Sequence, residues 1–255
     1  MISRPNVKLN LGLRVLGKRP DGYHELETLF IPCHAFHDEL SIEQAEEFGI
    51  GISGPCYRGW DPSEDLTARA WALLHDAFGI GPVHIKLIKN SPVGAGLGGG
   101  SADGALALRM LDKLFGIGLS DATLAEYAAL LGSDCPFFIY NRPMLASGRG
   151  ETLEPFDIDL SPYRIDVAIP EGIAVSTREA YAGVIPAAPE EPLRTTLARP
   201  VETWRGRLVN DFERSVFAAH PEIEALKNQF YDQGAVYAAM SGSGSAVFAL
   251  FNANS

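Results

Sequence analysis

The chain has 255 residues, 46% of them hydrophobic and 21% charged, and a formal net charge of -11. That is enough apolar material for one large domain or two modest ones, and the acidic balance excludes the broad cationic face that nonspecific nucleic-acid binding needs. The three cysteines, Cys33, Cys56 and Cys135, are scattered without metal-ligand spacing, and no stretch approaches the ~20 apolar residues of a membrane span. Free thiols, a cytoplasmic location and no membrane partner are expected.

Val7, Leu9, Leu11, Leu13 and Val15 alternate with Lys8, Asn10, Gly12 and Arg14. This predicts a half-buried strand with Lys8 and Asn10 on its non-apolar face. Lys18–Leu26 follows as a turn bent at Pro20, Asp21 and Gly22. A strand is expected over Asp38–Gln44, a helix over Asp65–Phe78 and a second strand over Val83–Lys89. Ser101–Phe115 and Asp121–Leu131 have helical spacing, the latter broken by Gly132. Tyr163–Pro170 reads as a strand and Ile185–Pro200, rich in proline, as a mobile surface loop. Pro221–Gln233 is a predicted helix ended by Gly234, and Ser241–Phe251 a small-residue turn leading into a buried strand. Strands and helices interleave irregularly, so the expected class is α+β.

Between the strand ending at Lys89 and the helix from Ser101 stand Gly94, Gly96, Gly98, Gly99 and Gly100. Glycine lets a ligand approach the backbone closely, and the helix that follows offers unpaired N–H groups and the positive end of its dipole. Together these make a phosphate site. A flexible linker is the plainer alternative, but linkers are not bracketed by an apolar strand and an apolar-periodic helix. Gly94, Gly96 and Gly99 satisfy G-x-G-x-x-G, yet no acidic residue closes a following strand as a dinucleotide site requires, and no Gly-Lys-Ser/Thr triplet marks a Walker loop.

"SPVGAGLGGGSADGA", "PNVKLNLGLRVLGKRPDGYHELETLF", "LLGSDCPFF" and "MSGSGSAVFALF" resemble segments of the GHMP kinases, the superfamily of galactokinase, homoserine kinase and mevalonate kinase. "NDFE" and "VSTREAY" are similar to further family segments. The stretch containing "GKRPDGYHEL" is similar to one branch alone, whose acceptor carries a cytidine diphosphate. The resemblance implies a two-domain GHMP fold: an S5-domain-2-like ATP-binding α+β domain over residues 1–150 and a ferredoxin-like domain over 151–255, with the active site between them. It implies ATP-dependent phosphorylation of the 2-hydroxyl of a cytidine diphosphate-linked methylerythritol, with Mg²⁺, in the non-mevalonate route to isoprenoid precursors. The implied partners are that alcohol and ATP, and the chain is expected to be a monomer or a homodimer.

The implied phosphate loop is Pro92, Val93, Gly94, Ala95, Gly96, Leu97, Gly98, Gly99, Gly100, Ser101 and Ala102, with Ser101 also helping to hold the metal and Lys89 reaching the nucleotide. Asp134 matches the family's catalytic aspartate, which accepts the hydroxyl proton, and Lys8 its catalytic lysine, placed to pair with Asp134. Read alone, Asp134 is a helix N-cap and Lys8 a solvated strand residue. Tyr23 and His24 correspond to a cytosine-recognising pair and Tyr181 to an aromatic sandwiching the base from the other side. Thr177 and Asn10 are implied polar contacts to the diphosphate or the polyol, and Ser241–Ser245 a second small-residue turn lining the site.

The family's usual Gly-Gly-Gly-Ser-Ser-Asp-Ala-Ala is "GGGSADGA" here, so Ala102 lacks a hydroxyl and Gly104 weakens the helix by about 1 kcal/mol relative to Ala. The chain stops soon after Phe251, which predicts an incomplete second sheet with an exposed edge. Three other readings compete: a GHMP kinase for mevalonate or homoserine, a nucleotide binder without catalysis, and a Rossmann-type oxidoreductase.

Overall fold

The computed structural model describes residues 1–253. It opens with β1 (Ile2–Ser3), β2 (Asn6–Lys18) and β3 (His24–His37). The bend between β2 and β3 is made by Gly22, at φ 86°, and by the Asp21 carboxylate, which accepts the Tyr23 N–H at 3.1 Å. Next come β4 (Glu39–Gln44), β5 (Gly49–Ser53), α1 (Leu66–Phe78), β6 (Val83–Ile88), α2 (Gly99–Phe115), α3 (Asp121–Leu131) and α4 (Cys135–Tyr140).

Met1–Lys8, Pro32–Val93 and Gly98–Arg142 form one compact unit. Its sheet has the order β1-β4-β6-β5. Leu40 pairs with Leu87 and Ile42 with Ile85 across the antiparallel β4–β6 ladder, and all four are fully buried. Period-2 alternation therefore gives this sheet one apolar face. Asp65 caps α1, and Gly79 ends it in the left-handed conformation at φ 65°. Gly104 lies where α2 crosses its neighbours: a Cβ there would sit 2.8 Å from Leu66 Cβ and 3.3 Å from Leu131 Cδ1. The weak helix former is the residue that lets α2 pack closely.

The second unit comprises Leu9–Ile31, Gly94–Leu97 and the chain from Pro143 onward. It adds β7 (Met144–Gly148), β8 (Thr152–Pro155), β9 (Tyr163–Ala168), α5 (Thr177–Ala182), α6 (Leu193–Leu197), α7 (Glu213–Ala219), α8 (Pro221–Asp232), β10 (Tyr237–Met240) and β11 (Val247–Asn252). One sheet runs β2-β3-β7-β8, with Leu26 opposite Gly148 and Phe30 opposite Met144. The other is β10-β11-β9. Leu13, Val15, Phe212, Val216, Met240 and Val247 belong to the core of this unit. The division is not a single cut near residue 150, because the β2–β3 hairpin pairs with β7 and so draws early residues into the later unit.

Several expectations are corrected. β2 is buried on both faces rather than half-buried, Lys8 and Asn10 included. The segment read as a turn to Leu26 is already strand from His24. α2 starts at Gly99, so two of the glycines form its first turn. Ile185–Pro200 contains α6, which buries Leu193, Thr196 and Leu197. The last sheet has three described strands, with β11 in the centre and β10 and β9 at its edges. Among the described residues no helix is long and apolar enough to cross a membrane, and all three cysteines are free thiols.

Candidate active site

In the first unit, Lys8 Nζ lies 3.5 Å from Asp134 Oδ2. The lysine is 3% exposed, and its stem runs beneath Gly98, where an added Cβ would stand 3.2 Å from both Lys8 Cγ and Cε. Gly98 is the N-cap of α2, at φ 72°, and supplies no side-chain cap. A cation and a carboxylate thus meet at the uncapped amino end of a 17-residue helix, where backbone N–H groups and the dipole favour an anion. Burial lowers the pKa of Lys8, and the charge of Asp134 opposes that effect. Asp134 does sit at the N-cap of α4, but its side chain makes no capping hydrogen bond. The carboxylate faces Lys8 instead.

The phosphate loop divides between the units. In the second, Gly96 at φ 76° packs so tightly that a Cβ would come within 2.1 Å of the Ser241 carbonyl oxygen. The Ser241 hydroxyl donates to the Gly96 carbonyl at 3.2 Å, and the Ala246 N–H to that of Ala95 at 3.1 Å. The small-residue turn Ser241–Ser245 therefore holds this half of the loop. In the first unit, Gly99 has Ser91 Cβ 3.1 Å from where its own Cβ would be, whereas Gly100 is exposed with nothing within 4 Å. Val93 and Gly94 are exposed and Pro92 is half-buried, while Ala95 and Leu97 are buried. Ala102 is also buried, so its methyl group faces the interior rather than the helix tip.

Lys89 does not reach outward. Its ammonium is 2% exposed and enclosed by the carboxylates of Asp38 and Asp103, each itself buried. Asp38 Oδ1 also accepts the N–H groups of Asn90 at 2.6 Å and Ser91 at 2.7 Å. The strand leading into the loop is thereby tied to α2 leading out of it. Burial pushes Asp103 well above the usual carboxylate range despite Lys89, while the two carboxylates outweigh burial at Lys89 and raise its pKa. Burial likewise lifts the Cys135 thiol to about 12, which leaves it protonated and inert.

Asn10, in the second unit, is buried. Its N–H donates to Ser241 Oγ at 3.3 Å and its side-chain amide to Thr28 Oγ1 at 3.1 Å. Tyr23 is 56% exposed, with the Arg149 guanidinium 4.8 Å over its ring. His24 and Tyr181 stack on each other, with centroids 4.7 Å apart and planes at 22°. The two rings are in contact, so no base fits between them as they stand; Tyr181 also meets Phe212 edge-on at 4.8 Å. Thr177 is exposed in the first turn of α5, whose N-cap is Ser176.

No group of three or more His, Cys, Asp or Glu gathers for a metal among the described residues. Mg²⁺ keeps waters and phosphate oxygens and takes few protein ligands. Ser101, partly exposed in the first turn of α2, presents a hydroxyl at this helix end, where it also bonds with the Cys135 thiol. Thr28, Asp38 and Asp103 are the supporting residues that sequence reasoning missed. Thr28 and Asp103 lie inside quoted motifs and Asp38 does not, and none shows a spacing that betrays its partner.

Residues 65–142 match the family model of the GHMP kinases N terminal domain and residues 196–255 that of the GHMP kinases C terminal domain. A 4-diphosphocytidyl-2-C-methyl-D-erythritol kinase of Bacteroides fragilis is 46% identical over 99% of this chain and 92% of its own. One of Cytophaga hutchinsonii is 47% identical over 99% and 93%. A crystal structure of 4-(cytidine 5'-diphospho)-2C-methyl-D-erythritol kinase superposes with a TM-score of 0.81 at 36% identity, covering 98% of this chain and 90% of that one. The fold alone is shared with a homoserine kinase of Cytophaga hutchinsonii, at a TM-score of 0.70 and 16% identity over 97% and 85% of the two chains.

Proposed function

The chain belongs to the 4-diphosphocytidyl-2-C-methyl-D-erythritol kinases of the GHMP kinase family, and from that premise we propose that Lys8 and Asp134 carry its phosphoryl transfer. The reaction moves the γ-phosphoryl group of ATP to the 2-hydroxyl of 4-diphosphocytidyl-2-C-methyl-D-erythritol, a step in making isoprenoid precursors. The observation that carries the residue assignment is the 3.5 Å pairing of Lys8 with Asp134 beside the uncapped end of α2.

Transfer of this kind asks the protein for positioning and charge compensation. The backbone N–H groups of Gly99, Gly100 and Ser101 hold the terminal phosphates, and Lys8 offsets charge on the transferred group. The acceptor oxygen bonds to the γ-phosphorus as the bond to the bridging oxygen breaks. ADP leaves, and the hydroxyl proton passes to Asp134. A carboxylate is a weak base for a free alcohol, so that proton moves as the oxygen acidifies late in the transfer. Ser101 would help to hold Mg²⁺, which would supply further charge neutralisation when bound. Asn10, oriented by Thr28 and Ser241, addresses the polyol or diphosphate, as does Thr177, and Tyr23, His24 and Tyr181 address the cytosine. The contact between His24 and Tyr181 means that the base stacks on an outer face of this pair or parts the two rings.

The test is ATP turnover with the diphosphocytidyl alcohol against mevalonate and homoserine. The reading requires turnover with the first alone; equal turnover with either control overturns the acceptor assignment. Loss of less than tenfold in Asp134→Asn removes that residue from the transfer.

A further inference from the structure

The second unit contains a cavity of about 710 Å³ lined by Arg14, Glu191, Thr196, Arg199, Arg205 and Arg207, with Glu190 and Asp211 also on its wall. Four arginines from three separate segments meet here in a chain whose acids outnumber its bases by 32 to 21. Their settings differ. Arg14 is buried, and its guanidinium donates to the Glu191 carbonyl and to Thr196 Oγ1. Arg199 pairs with the Glu191 carboxylate. The Arg205 guanidinium carbon stands over the Tyr231 ring, 4.0 Å from its centroid. Among the described residues neither Arg205 nor Arg207 forms an ion pair.

The segment that presents these two is pinned at both ends. Trp204 and Leu208 are buried, Trp204 donates its indole N–H to the Arg199 carbonyl at 3.0 Å, and Gly206 at φ 75° turns the chain between the arginines. The guanidinium pair is thus presented by a fixed backbone, and the volume suits a small ligand.

We propose that this cavity binds a phosphorylated polyol or similar small phosphate ester, outside the phosphate loop. Planar guanidinium groups recognise phosphate oxygens bidentately, and the carboxylates of Glu190 and Asp211 accept hydrogen bonds from hydroxyl groups. Arg205 and Arg207 carry the phosphate, while Arg14 and Thr196 form the floor.

The test is calorimetric titration of inorganic pyrophosphate and of glycerol 3-phosphate into protein saturated with ADP and the acceptor alcohol, so that both substrate subsites are filled. The proposal requires saturable binding of at least one probe, weakened tenfold or more in Arg205→Ala/Arg207→Ala, a double variant that keeps its unfolding temperature and its turnover. Absence of binding to the saturated protein, or equal binding to the double variant, overturns it. Binding that disappears when the substrate subsites are filled assigns the anion to the phosphate loop and also overturns it.

Discussion

Lys8 Nζ and Asp134 Oδ2 lie 3.5 Å apart, the lysine almost wholly buried and the carboxylate side chain 35% exposed. The asymmetry fixes what each substitution does. Asp134→Asn keeps the shape but leaves a buried ammonium without its counter-charge, so stability falls by about 1–3 kcal/mol. Turnover falls by roughly 10²–10⁴-fold, while KM for ATP changes little. Lys8→Met keeps the stem beneath Gly98 and removes the charge. It also loses turnover, with less loss of stability because no buried charge is stranded. Steady-state kinetics beside urea unfolding separates the two effects.

Titration of Lys8 gives a second signature. Its pKa is lowered from 10.5 by burial, so the ammonium is lost at a lower pH than in an exposed lysine. The alkaline limb of the kcat profile is expected below 10.5 and should vanish in any active Lys8→Arg variant, because guanidinium does not titrate in that range. The folded state binds fewer protons here than the unfolded state, so the Lys8 contribution to stability rises as pH rises through the lowered value. A wild-type profile flat to pH 10.5 contradicts the role given to this residue.

Lys89 sits between Asp38 and Asp103 in an enclosure with two orphaned polar atoms, Ser91 Oγ and Asp103 Oδ1. Asp103 holds its proton well above the usual carboxylate range. Its contribution to stability is complete below the unfolded pKa and is lost as pH rises through the raised value. Lys89→Met leaves two buried carboxylates without a cation. We expect it to cost about 3–5 kcal/mol at pH 8 and less at pH 5, as read from urea midpoints. An equal loss at both pH values argues against a protonated Asp103.

The glycines of the loop are not equivalent. Gly96→Ala drives a methyl group to 2.1 Å from the Ser241 carbonyl at a φ of 76°. It should lower stability by about 2 kcal/mol or more. Gly100→Ala meets nothing within 4 Å and gains up to about 1 kcal/mol of helix propensity, yet its methyl group stands at the open end of α2. That variant should fold at least as stably as the parent and show a raised KM for ATP. Thermal unfolding combined with ATP kinetics distinguishes them.

Tyr181 and His24 stack at 4.7 Å. A base that uses this surface gains about 1–3 kcal/mol from an aromatic face. Tyr181→Ala should therefore raise KM for the cytidine-bearing alcohol roughly tenfold or more by that same stacking and leave KM for ATP unchanged. Comparable shifts in both constants place Tyr181 in the fold rather than at the base.

The amino-acid sequence by itself determined the local elements and the identity of the loop. Asp65 before Leu66, the alternation of Val83–Ile88 and the glycines ahead of Ala102 each act on neighbours a few residues away, so period and capping chemistry disclose them. Tertiary structure alone decided how the charged residues are used. Read alone, Lys8 is a solvated strand residue, and Lys89 is expected to reach the nucleotide, yet one is buried against Asp134 and the other between Asp38 and Asp103. α6 arises in a proline-rich segment because Leu193 and Leu197 find a core to enter. The burial that sets a lysine's charge, like the packing that stabilises a five-residue helix, comes from surfaces far away in the chain, and no local spacing encodes where those surfaces will lie.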